Sequence, residues 1–146
     1  MSITSRADAT WAGALTSGDG TVSGASSGAF TSLPITWRAR TEEHGGLTSP
    51  EELLAASHAA CFAMAFASNL AKADAAPTRL DVTADVTFEK LEAWTVVSSH
   101  LTVRGAAPGI SAADFAAIAE TTKDTCPISR AITGNVALSV SATLEG

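Results

Sequence analysis

The chain has 146 residues, 46% of them apolar and 16% charged, which is long and apolar enough for a buried core and excludes a disordered polymer. Nine basic against fifteen acidic residues give a net charge of −6 without any Lys/Arg cluster, so nucleic acid and anionic membrane surfaces are poor partners. The two cysteines stand in a chain whose first residues, Met1 to Arg6, lack an apolar run after the basic residue, which points to a cytoplasmic protein without a secretory leader and to thiols used for chemistry rather than as a structural staple.

In chain order, residues 7–15 alternate weakly and read as a strand, with Ser17-Gly18-Asp19-Gly20 as a hairpin turn. Thr21 to Ser23 begins a second strand, and Phe30 to Arg38 a third, with Pro34 marking an edge or an irregular point. A polar loop from Arg40 to Leu47 leads to the strongest helix signal. Ser49 is placed to cap, Pro50 occupies a position where its missing N–H costs nothing, and Glu52 completes an S-x-x-E box. From there to about Lys72 no glycine and no further proline intervenes. Leu53 to Ala71 carries no formal charge, but its alanines, Ser57, His58, Ser68 and Asn69 fit a buried helix better than a membrane span. So much apolar surface on one helix needs more cover than a small sheet supplies, which points to the centre of a soluble homodimer.

Leu80 to Phe88 is a cleanly alternating strand, and Trp94 to Val103 its hairpin partner. Ser111 to Asp124 reads as a second long helix, interrupted by Cys126-Pro127 and followed by a short helical piece; Val136 to Leu144 is a last strand. The order βββ-α-ββ-α-β is an α+β pattern dominated by antiparallel hairpins, in one domain spanning residues 1–146.

Few positions are chemically unusual. His58 and Cys61 lie one helical turn apart, and Glu51 two turns before His58. Three readings compete with the plain one of buried cysteines and a satisfied histidine. A Ser57/His58 hydrolase is poor, because adjacent helix residues point about 100° apart. A zinc site from His58, Cys61, Cys126 and Glu51 has suitable ligand types but no paired-cysteine loop. A redox dithiol needs a cation to hold one thiol as thiolate, and Arg38 and Arg40 are the local candidates.

The segments Ser49-Pro50-Glu51-Glu52-Leu53, Ala55 to Phe62 and Cys126-Pro127-Ile128-Ser129, with Trp11-Ala12-Gly13 and Gly20 to Ser23 near the start, resemble the OsmC/Ohr family of osmotically inducible and organic-hydroperoxide-resistance proteins. The Ala-His-Ala-Ala-Cys-Phe run is closer to the OsmC branch. The resemblance implies an intertwined homodimer with two long central helices covered by antiparallel sheets. It also implies a cysteine-based peroxidase without cofactor or metal, acting on a hydroperoxide and reset by an external dithiol of lipoyl or small-thiol type. By motif, Cys61 is the peroxidatic residue, Cys126 the resolving one, Arg40 the active-site arginine and Glu51 the carboxylate that orients it; His58 belongs to the motif with no catalytic role. A dimer that keeps the fold but only binds an apolar ligand is the non-enzymatic alternative.

Overall fold

The computed structural model describes all residues 1–146, which form two compact units, Met1–Leu53 and Leu54–Gly146. The first holds an antiparallel sheet in the order β1 (Asp8–Ala12), β2 (Asp19–Ser23), β3 (Leu33–Ile35), followed by a short helix, α1 (Trp37–Thr41). The turn between β1 and β2 falls earlier than expected. Trp11 pairs with Gly20 and Ala12 with Asp19, so Asp19-Gly20 is strand, and the reversal runs through residues 13–18. Gly13, at φ +92°, and a Gly18 N–H to Ala14 carbonyl bond of 2.7 Å close it. A side chain on Gly20 would run into the Thr10 carbonyl oxygen, so the close approach of the two strands there requires glycine.

The third strand is also shorter than the expected 30–38. Only Leu33–Ile35 pairs, and Thr36 then caps a helix by accepting the Ala39 N–H at 3.1 Å. Arg38 and Arg40 therefore sit on a turn of helix, not at a strand end or in a loop. A local cap outweighed the extended propensity of the preceding residues.

α2 (Pro50–Lys72) begins in the first unit and continues into the second. Its start is a partial capping box: Ser49 accepts the Glu52 N–H at 3.1 Å, while the Glu52 carboxylate takes the Thr48 hydroxyl at 2.6 Å. By length and composition alone α2 could cross a membrane. In the fold, His58, Phe62, Phe66 and Leu70, four residues apart, form one fully buried stripe. The opposite stripe, Ala56, Ala60, Met64 and Ser68, is exposed. Burial within one chain is thus one-sided, where the composition suggested cover on nearly every face.

In the second unit the buried stripe faces a three-stranded sheet and a second helix. β4 (Arg79–Lys90) and β5 (Trp94–Ala106) form a long antiparallel hairpin, in which Leu80, Val82, Ala84, Val86 and Phe88 turn to the same, half-buried face as anticipated. β6 (Ala137–Leu144) joins β5 in parallel, Leu101 opposite Val140. The sheet is therefore mixed, not antiparallel as expected. Between β5 and β6 lie α3 (Ala112–Thr125) and α4 (Pro127–Ile132), and such a crossover is what returns a strand in parallel. Phe66 stands between Phe62 and Phe115, with ring centroids 5.4 and 4.9 Å apart, and Leu70, Leu101, Val103, Ala119 and Cys126 complete the core. The mixed α+β class and the order of the long elements agree with the sequence reading; α4 is the short helical piece anticipated after Cys126-Pro127, and α1 is an additional short helix.

Candidate active site

The candidate residues form two pairs, one in each unit. In the first, the Arg40 guanidinium donates Nε to both oxygens of Glu51, at 3.0 and 3.1 Å, and Nη2 to Oε1 at 2.8 Å. Glu51 is 8% exposed, so this forked pairing is what makes its burial tolerable. Helix α1 delivers the arginine and the first turn of α2 the carboxylate. Trp37, one turn before Arg40, has its ring 5.8 Å from the guanidinium carbon. Of the two arginines, Arg38 is turned to solvent, where it pairs with Glu42 and Glu43 at 3.1 and 2.9 Å. Beside Arg40 lies a cavity of about 210 Å³ with mostly apolar walls from Trp11, Leu15, Ile35, Trp37 and Pro50.

The second pair is Cys61 and Cys126, separated by 65 positions in the chain and brought close enough that the Cys126 thiol acts on Cys61. Both are free thiols; Cys61 is half-buried and Cys126 buried. Cys126 ends α3 and caps α4, accepting the Ser129 N–H at 3.4 Å, while Pro127 opens α4 where no N–H is needed. The proline after the cysteine is thus the device that turns the chain and holds the thiol in place. Burial pushes the Cys61 thiol above its ordinary pKa, the Ile128 backbone N–H pulls it back, and the neighbouring Cys126 thiol pushes it up again. A reactive Cys61 therefore requires a cation.

His58 is a satisfied histidine, as in the plain reading, and its partners are serine hydroxyls. It is fully buried, with Nδ1 2.7 Å from Ser99 Oγ on β5 and Nε2 2.8 Å from Ser129 Oγ on α4. Ser129 Oγ in turn lies 3.1 Å from Cys126 Sγ. Burial lowers the His58 pKa below its ordinary 6.5, so the ring is neutral near pH 7. These contacts remove the hydrolase and zinc readings. Ser57 donates to the Leu54 carbonyl at 2.9 Å rather than to His58, both ring nitrogens of His58 are engaged by serines, and no three His, Cys, Asp or Glu side chains converge as a ligand set. Ser99 had no signal in the sequence, and Ser129, although part of the Cys126-Pro127 motif, had none as a partner of His58; they lie 41 and 71 positions from the histidine they bind. A larger open groove of about 750 Å³, lined by α2 and α3 residues such as Ala65, Asn69 and Ile118, carries none of the four candidate side chains.

The chain is similar to known proteins along most of its length. The OsmC-like protein family model matches residues 43–141. The chain is 38% identical over 139 residues to Peroxiredoxin OsmC of Escherichia coli, covering 94% of this chain and 96% of that protein. It is 34% identical over 104 residues to organic hydroperoxide resistance protein OhrA of Bacillus subtilis, covering 71% and 72%. Among solved structures, an organic hydroperoxide resistance protein from Elizabethkingia anophelis superposes with a TM-score of 0.72 at 21% identity, covering 99% of this chain and 100% of that one, a likeness of fold.

Proposed function

Because the chain belongs to the OsmC family, we propose that it is a cysteine-based peroxidase that reduces organic hydroperoxides, with Cys61 as the attacking thiol and Cys126 as the one that closes the disulfide. The observation that carries this reading is the meeting of two free thiols in one place, the half-buried one able to meet a substrate and the buried one behind it. The names of the relatives from E. coli and B. subtilis support the peroxide chemistry.

In this mechanism the Cys61 thiolate attacks the terminal peroxide oxygen, the O–O bond breaks, and the alkoxide leaves as alcohol after taking a proton. Cys61 becomes a sulfenic acid. Cys126 attacks that sulfur, an S–S bond forms, and water leaves, which stops oxidation before its irreversible stages. An external dithiol, of lipoyl or small-thiol type, returns both cysteines to thiols by exchange. By family resemblance Arg40, which Glu51 holds in a forked pair, is assigned as the active-site cation and as a donor to the peroxide. The apolar cavity beside Arg40 accommodates the organic part of the substrate, which favours alkyl and aryl hydroperoxides over hydrogen peroxide.

The working assembly in this proposal is a homodimer joined through α2. Its exposed stripe of Ala56, Ala60, Met64 and Ser68 is small enough for a second backbone to come close, and Met64 is 69% exposed in the single chain. The test is a thiol count before and after one equivalent of cumene hydroperoxide. The expected result is loss of two thiols per chain and their full return with dihydrolipoamide; unchanged thiols would overturn the proposal.

A further inference from the structure

The resolving step requires Cys126 to lose a proton, and Cys126 is 1% exposed, so water is not at hand to take it. Besides Cys61, a polar side chain at Cys126 Sγ is the Ser129 hydroxyl, at 3.1 Å. That hydroxyl's other partner is His58 Nε2, at 2.8 Å. His58 is held from its far side by Ser99 Oγ at 2.7 Å, and no buried polar side-chain atom in the region lacks a partner. A buried histidine needs only to be satisfied. This one is satisfied through a hydroxyl that is itself bonded to the sulfur, in an unbroken line from strand β5 to the disulfide-forming atom.

We propose that Ser129 and His58 form a proton relay for Cys126, drawing off the thiol proton as the disulfide closes and returning it to the oxygen that leaves Cys61. The relay rests on the peroxidase reading above and adds Ser129 as a catalytic residue, in contact with the reacting sulfur, and His58 as a positioning residue acting through it. With Nδ1–H donated to Ser99, Nε2 is free to accept. The Cys126 S–H proton passes to Ser129 Oγ as the Ser129 proton passes to Nε2. The thiolate then attacks the Cys61 sulfenic sulfur, the S–O bond breaks, and the imidazolium gives its proton back through the same hydroxyl to the departing hydroxide. One S–H and one S–O bond are lost, one S–S and one O–H bond are gained, and the products are a disulfide and water.

The relay requires neutral His58, and the surroundings keep it so. Its neighbours are Ser99 from β5, Ser129 from α4 and Cys61 one turn along α2, while Arg130 of α4 is exposed; burial is the cause that lowers its pKa. Closure of the disulfide should therefore slow in acid as the imidazole takes up a proton, while formation of the sulfenic acid does not depend on this group.

The test separates the two steps by stopped flow, following sulfenic acid formation and then disulfide closure after one equivalent of cumene hydroperoxide. In His58→Asn and in Ser129→Ala the first step should stay within about twofold of wild type, and closure should slow by about tenfold or more and lose its acidic limb. In the unsubstituted protein the midpoint of that limb should coincide with the His58 titration followed by NMR, a measurement that stands even where a variant fails to fold. Wild-type closure rates and pH profile in a folded His58→Asn protein would overturn the relay alone. So would slower closure that keeps its acidic limb, since that is the mark of a merely structural histidine. Absence of any sulfenic acid in wild type would instead overturn the peroxidase reading and the relay with it.

Discussion

Arg40 and Glu51 are joined by three hydrogen bonds between 2.8 and 3.1 Å, linking a five-residue helix to the first turn of the longest one. The fork fixes the plane of the guanidinium, which a lysine ammonium cannot reproduce. Arg40→Lys should therefore keep the positive charge yet lower the rate of organic hydroperoxide reduction by about tenfold or more. Peroxide consumption under excess dithiol measures this. A wild-type rate in Arg40→Lys would show that charge without the fork suffices.

Arg40→Ala has a second consequence, for stability. It leaves a nearly buried carboxylate without its partner, and since the guanidinium is 32% exposed the expected cost is about 1–2 kcal/mol, below that of a fully buried pair. Urea unfolding of Arg40→Ala and of Arg40→Ala/Glu51→Gln checks it. The double variant should recover most of the loss, because the orphaned charge is then gone.

Substituting the sulfurs one at a time should divide the proposed reaction into its parts. Cys61→Ser should abolish peroxide reduction. Cys126→Ser should perform one turnover and then accumulate oxidised Cys61, detectable by mass spectrometry after trapping with a sulfenic-acid reagent. Continued turnover in Cys126→Ser at the wild-type rate would mean that an external thiol resolves Cys61 directly.

The buried histidine also predicts a pH dependence of folding. The pKa of His58 in the fold lies below its unfolded value of 6.5, so the unfolded chain binds the proton more readily. The stability His58 permits is fully present above that unfolded value and is lost as pH falls through it toward the lower folded pKa. The melting temperature of the wild type should drop between about pH 7 and pH 5 more than that of His58→Asn, whose amide does not titrate in that range. Parallel curves for the two proteins would mean that the ring is not held neutral.

For the exposed stripe of α2, Met64→Asp should convert the proposed dimer to monomer at micromolar concentration. A charge at the middle of an apolar contact has no water and no partner there. Sedimentation velocity decides between this outcome and an assembly that does not use α2.

The amino-acid order alone determined the start of α2, through Ser49, Pro50 and Glu52, and the hairpin of β4 and β5, through strict alternation of apolar side chains. In both, the information lies within a few neighbouring residues and obeys one period. It also marked Cys61, Cys126, Arg40 and Glu51 as candidates, because their motifs are local. Left to the tertiary structure were the features that depend on residues distant in sequence or on competition between local preferences. The Thr36 cap made a helix of what looked like strand and loop; the α3–α4 crossover brought β6 in parallel; and His58 found Ser99 and Ser129 across 41 and 71 positions. A hydroxyl contributes almost nothing to periodicity or hydropathy, so the histidine's partners became visible only when three elements were folded around it.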